Sequence, residues 1–135
     1  MKNVFRVLAI ILLTAFISLG CGADGSSVLK KQIDVTENYV NGLANAKSAD
    51  DVAKTIDTFT EDMKKLMPEL IEFEKKYPDY QDGKVPKEIE ADVKKMEEVS
   101  EKMEGAMMKM MKYMMDPKVQ AAMTRMGEEM EKLGE

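Results

Sequence analysis

The chain has 135 residues, of which 44% are hydrophobic, 33% charged and 6% aromatic, with a formal net charge of −5, one Cys, no His and no Trp. Without His there is no Ser-His-Asp or Cys-His machinery, no imidazole zinc site and no His-ligated haem, and a single Cys cannot form an internal disulfide. The length fits one domain, and the acidic balance argues against binding nucleic-acid phosphates, so no nucleic-acid partner is expected.

The first twenty residues contain no acid, carry Lys2 and Arg6, and are almost wholly apolar from Val7 to Leu19, interrupted by Thr14 and Ser18. This is the pattern of a secretory signal, and its apolar run is shorter than the roughly 20 residues that span a bilayer as a helix. The junction Ile17-Ser18-Leu19-Gly20-Cys21 resembles the lipobox of bacterial lipoproteins, with Ser18 and Leu19 in swapped order relative to that family. The resemblance implies cleavage before Cys21, lipidation of Cys21 and anchoring to a membrane by the acyl chains, which contribute about 0.8 kcal/mol per buried CH₂. Gly22 directly after Cys21, in place of Asp, resembles outer-membrane sorting in some bacteria, and the expected location is the periplasmic side of a membrane or the outer membrane. The expected organisation is a signal peptide over 1–20, a lipidated flexible tether over 21–27 and one helical domain over 28–135. Cleavage removes two bases and no acid, which takes the mature charge from −5 to −7.

Four helical segments are expected in the mature chain. The first spans about Ser27 to Ala46, with Leu29, Ile33, Val40 and Leu43 at helical spacing and Thr36 interrupting the stripe. The second opens at Ser48-Ala49-Asp50-Asp51, a capping-box-like start. Val52, Ile56, Phe59, Met63, Leu66, Leu70, Phe73 and Tyr77 then follow in steps of four and three, and this phase continues across Pro68, which predicts one kinked helix and not two. Tyr77 to Val85, with Pro78 and Asp82-Gly83, reads as a loop.

Pro86 suits the first turn of a third helix over 86–115, about 45 Å long, whose seam is Ile89, Val93, Met96, Ser100, Met103, Met107, Met110 and Met114. Asp116-Pro117 breaks it, with Asp116 placed to cap a fourth helix seamed by Val119, Met123, Met126, Met130 and Leu133. No segment alternates with period two, so the expected fold is all-α: an up-and-down bundle of three to four helices. In length, helix number and export it is similar to the periplasmic bundles of the cytochrome b562 kind, whose haem-ligand His has no counterpart here, and no cofactor is expected.

Fourteen residues are Met, and Met107, Met108, Met110, Met111, Met114 and Met115 fall within nine positions. Met fills irregular cores, which accounts for the inward stripe, but Met108 and Met115 lie off that seam and Met111 at its edge. An apolar excess there fits an adaptable surface for a protein partner. Thioethers are also soft ligands, so Met103, Met107, Met110, Met111 and Met114 are candidates for Cu(I) or Ag(I). The acids are interleaved with Lys, and pairs such as Glu98 with Lys102 and Asp92 with Lys95 suit a solvated helical face. No Gly-rich phosphate loop, serine elbow or calcium loop occurs, and no enzymatic activity is expected. The sequence therefore reads as a lipid-anchored, exported binding or structural module of a bacterial envelope, with a Met-rich soft-metal carrier as the alternative.

Overall fold

A computed structural model describes residues 25–78 and 84–133. The signal-like segment, Cys21, residues 22–24, the loop residues 79–83 and residues 134–135 lie outside the described residues. Four helices follow in order: α1 (Gly25–Asn45), α2 (Ala49–Lys76), α3 (Glu90–Met111) and α4 (Pro117–Leu133). Among the described residues there is no strand, and the fold is an all-α bundle. No described helix is long and apolar enough to cross a membrane.

α1 begins two residues before Ser27, so residues 25–27, expected at the end of a flexible tether, are helical. Tertiary contacts hold this first turn. Gly25 lies so close to α2 that a Cβ on it would stand 2.4 Å from Cε2 of Tyr77, and the Ser26 hydroxyl donates to the Asp92 carboxylate at 2.6 Å. Thr36, the interruption in the apolar stripe, is buried, and its hydroxyl is satisfied by donating to the Gln32 carbonyl at 2.8 Å. Tyr39 joins the core beside it, its ring 4.4 Å from that of Phe59.

α2 starts as its sequence implies. The Ser48 side chain accepts the Asp51 N–H at 3.2 Å, while the Asp51 carboxylate accepts the Lys47 N–H at 2.9 Å. That second bond is the main reason the Asp51 carboxyl is held below its usual range. The helix then runs unbroken through Pro68, which sits on the exposed side, where its missing N–H costs least.

α3 is shorter than expected at both ends. Pro86 precedes it in a turn closed by the Ile89 N–H on the Pro86 carbonyl at 3.1 Å. At the far end the chain tightens, with Lys112 and Tyr113 donating to the carbonyls three residues back at 3.2 and 2.9 Å. Its 22 residues make a helix of about 33 Å. Asp116, restricted by the following proline, leaves the helix and accepts the Lys118 N–H at 2.9 Å, capping α4. The α3 seam departs from expectation at one position: Ser100 is exposed and donates back to the Met96 carbonyl, and the neighbouring Val99 is buried there.

The pairing of the helices follows from residue numbers. Lys31 meets Glu69, Gly42 meets Thr55 and Gly25 meets Tyr77, so partners across α1 and α2 have a nearly constant sum and the two helices are antiparallel. Ser26 meets Asp92, Tyr39 meets Met110 and Ala44 meets Lys109, with separations of 66, 71 and 65, so α3 runs parallel to α1. Asp50 with Lys118 and Asp57 with Arg125 are each 68 apart, so α4 runs parallel to α2. Directions therefore alternate along the chain, but the close pairs are α1 with α2, α1 with α3, and α2 with α4. One helical hairpin lies on another, and the connection from α2 to α3 crosses between layers. The first segment packs on both α2 and α3, so the bundle has four helices among the described residues.

The core between the layers is led by Leu29, Ile33, Leu43, Ile56, Leu70, Phe73, Ile89 and Met110, all essentially inaccessible. Burying each such side chain contributes about 1.5–3 kcal/mol. The four described helices and this cluster lie within residues 25–133.

Candidate functional site

The methionines divide by helical phase. α3 leans on α1 through Asp92, Val99, Met103, Ala106 and Met110, and the Met110 sulfur accepts a hydrogen bond from the Tyr39 hydroxyl at 3.8 Å. Burial pushes the Tyr39 phenol up to about 12, because its charged form would be stranded beside thioether and aromatic carbon. Further round the helix, Met107 is buried and Met96 and Met114 are half-buried against the core.

α4 behaves in the same way. Lys118, Arg125 and Glu129 reach α2, while Met123 and Met130 are half-buried on the side turned away from those pairs. α3 and α4 are not a close backbone pair. Long thioether side chains suit such a wide seam, because Met fills irregular gaps without a fixed shape.

Beyond the seam the apolar surface continues into solvent. Met108 is 64% exposed, Met111 52% and Met115 85%. Met108 and Met115 were expected to lie off the seam and Met111 at its edge, and their exposure agrees. The soft-ligand candidates are split by the same geometry: Met103, Met107 and Met110 are buried, Met114 is half-buried and Met111 points outward. Met110 already has its sulfur engaged by Tyr39. Among the described residues no group of three His, Cys, Asp or Glu could hold a metal ion. Cys21 lies outside the described residues.

Sequence reading missed the charge distribution around these methionines. Intrahelical pairs were expected on α3, yet Asp92 takes the Ser26 hydroxyl instead of Lys95, and among the described residues no ion pair engages α3 at all. The pairs join α1 to α2 and α2 to α4, or lie within α2 and α4. Arg125 grips Asp57 through three hydrogen bonds of 2.7–3.1 Å. Lys132 at 2.8 Å and Lys64 at 2.6 Å hold the Glu129 carboxyl down to about 2.

α3 thus keeps unpaired acids on its surface. Glu97, Glu101, Glu104, Met108, Met111 and Met115 are all exposed and succeed one another by four, three, four, three and four residues, with Glu90 seven before Glu97. As far as Met111 these residues form one stripe on α3, acidic toward its start and apolar toward its end, and Met115 follows in the turn after the helix. Of the lysines on this helix, Lys109 reaches α1, where its ammonium donates to the Ala44 carbonyl. The signal is present in the four-three spacing, and the expected pairs Glu98 with Lys102 and Asp92 with Lys95 obscure it.

The surface clefts are shallow. One between α1 and α2, of about 150 Å³, is lined by Val35, Tyr39, Gly42, Thr55 and Phe59 among others, and another between α2 and α4 is lined by the charged residues that join those helices. Neither gathers groups of a recognisable catalytic set. The chain matches no protein-family model, no curated protein and no solved structure.

Proposed function

We propose that this chain is a lipid-anchored, exported binding module of a bacterial envelope, held to the membrane through Cys21 and carrying its binding face at the far end of the bundle. The observation that carries this reading is the exposure of Met108, Met111 and Met115 at the α3–α4 corner. Gly25 and Tyr77 meet at one end of the bundle, and Ser26 and Asp92 meet there too. The start of α3 therefore lies near the start of α1, and the methionines stand about 30 Å away at the other end of α3.

Only residues 22–24 separate Cys21 from α1, and the four steps from Cys21 to Gly25 reach no more than about 14 Å. An anchor at Cys21 keeps the first turn of α1 close to the membrane and presents the methionine corner outward. An apolar surface aimed away from the lipid suits a protein partner better than the bilayer itself. On this reading the protein binds and positions; it does not catalyse.

The test is metabolic labelling with an alkyne analogue of palmitate, followed by membrane fractionation. The wild-type chain is expected to take the label and to sediment with membranes, and Cys21→Ser to lose both. A wild-type chain that is exported without label, or a Cys21→Ser chain labelled like wild type, refutes the anchor.

A further inference from the structure

We infer that the stripe of Glu97, Glu101, Glu104, Met108 and Met111 on α3, continued by Met115 in the turn that follows it, is a docking surface for a cationic amphipathic helix of a partner protein. The partner's basic residues meet the three glutamates, and its apolar end seats on the three methionines. This deepens the reading of the chain as a binding module by naming the chemistry of what it binds.

Charge complementarity chooses the occupant. The glutamates are exposed and engage none of the ion pairs among the described residues, whereas acids on α2 and α4 are paired repeatedly. A row of unneutralised carboxylates one helical turn apart repels itself, and a complementary row of cations relieves that repulsion while steering the encounter.

A second copy of the chain fits poorly. Parallel pairing sets glutamate on glutamate, and antiparallel pairing sets the carboxylates of Glu101 and Glu104 against methionines, desolvating charge without a partner. An anionic lipid surface is repelled by the same acids. Methionine favours a helical partner whose apolar residues vary in shape, since an unbranched thioether repacks at little cost. From Glu97 to Met111 the stripe runs about 21 Å along α3, with Met115 in the turn just beyond, so a helix of about 18 residues covers it.

The probe is a synthetic Leu/Lys amphipathic helix of about 18 residues, titrated into residues 22–135 carrying ¹³C-methyl methionine. Methyl signals of Met108, Met111 and Met115 are expected to shift with peptide, while those of Met63 and Met67, buried in α2, stay in place. Glu97→Gln, Glu101→Gln and Glu104→Gln together are expected to weaken binding roughly tenfold or more. A control with the same charge change at other exposed acids, Asp34→Asn, Glu128→Gln and Glu131→Gln, is expected to alter it by less than about threefold.

Equal weakening by both triples, shifts confined to buried methionines, or no binding overturns the inference. So does a concentration-dependent shift of Met108, Met111 and Met115 without peptide, which identifies a second copy as the occupant. All six substitutions are on the surface and leave the core intact. The titration uses the bundle without its N-terminal segment, so its outcome is independent of the lipid-labelling result.

Discussion

Two helical glycines, one inside α3 and one in the last turn of α1, should respond in opposite directions to the same substitution. Gly105 in α3 is exposed, and a Cβ there would meet nothing within 4 Å. Alanine at this position gains helix propensity and restricts the unfolded chain, so Gly105→Ala should stabilise by about 0.5–1 kcal/mol. Gly42 lies where α1 and α2 come together: a Cβ there would stand 2.6 Å from Cγ2 and 2.8 Å from Oγ1 of Thr55. Thr55 cannot easily turn away, because its hydroxyl donates to the Asp51 carbonyl at 2.8 Å and its branched Cβ restricts rotation.

The same propensity gain at Gly42 is therefore set against an overpacking cost of about 1–3 kcal/mol, for a net loss of about 1 kcal/mol. Thr55→Ala removes both clashing atoms and leaves only the Cβ, 3.3 Å from the new methyl. The double variant should then recover most of the loss, with a coupling energy of about 1–2 kcal/mol. Urea unfolding of residues 22–135, followed by far-UV circular dichroism, measures all four proteins, and each kcal/mol should also move Tm by about 4 °C. If Gly42→Ala stabilises as much as Gly105→Ala, or if the double variant is additive, the close approach of α1 and α2 at Thr55 is refuted.

Three further outcomes are expected. Ile56→Ala, which empties a fully buried position in α2, should cost about 2–5 kcal/mol in the same denaturation assay, and a cost under about 1 kcal/mol would contradict its burial. The Glu129 carboxyl is held down to about 2 from 4.5 by Lys132 and Lys64, so its contribution to stability is present above pH 4.5 and is lost as pH falls toward 2. Glu129→Gln should accordingly show a flatter decline in stability across that acid window, and identical slopes would remove the pairing. Tyr39, pushed from 10.0 up to about 12, favours the folded state fully below pH 10 and loses that contribution as pH rises from 10 to 12. Absorbance near 295 nm should show a tyrosine that ionises late, and Tyr39→Phe should abolish that late step.

Much of the fold was legible because helical amphipathicity is a local, periodic property. The four-three rhythm from Val52 to Tyr77 carried α2 through Pro68, and the Ser48 and Asp116 caps were readable because each satisfies backbone donors two or three residues away. Helix ends were less legible. Gly25 and Ser26 look like tether, and they are helical because Tyr77 and Asp92, distant in sequence, close over them. Pro86 looks like the first residue of α3, and the chain instead spends three more residues in a turn before Glu90.

The candidate site divides in the same way. Spacing alone put Met108 and Met115 off the apolar seam, since a residue's angular position on a helix is set by its number. Which lysine meets which acid was decided by packing, because exposed pairs within one helix gain only a few tenths of a kcal/mol and yield to interhelical partners. Lys64 and Lys118 were drawn to partners across the α2–α4 contact, and Asp92 was drawn to Ser26 across the α1–α3 contact. Composition and periodicity thus determined that this chain forms four amphipathic helices rich in thioether. Only the stacking of one hairpin on the other decided that the glutamates in line with the exposed methionines of α3 stay without ion pairs, because the choice of partner rests on long-range contacts that local spacing does not encode.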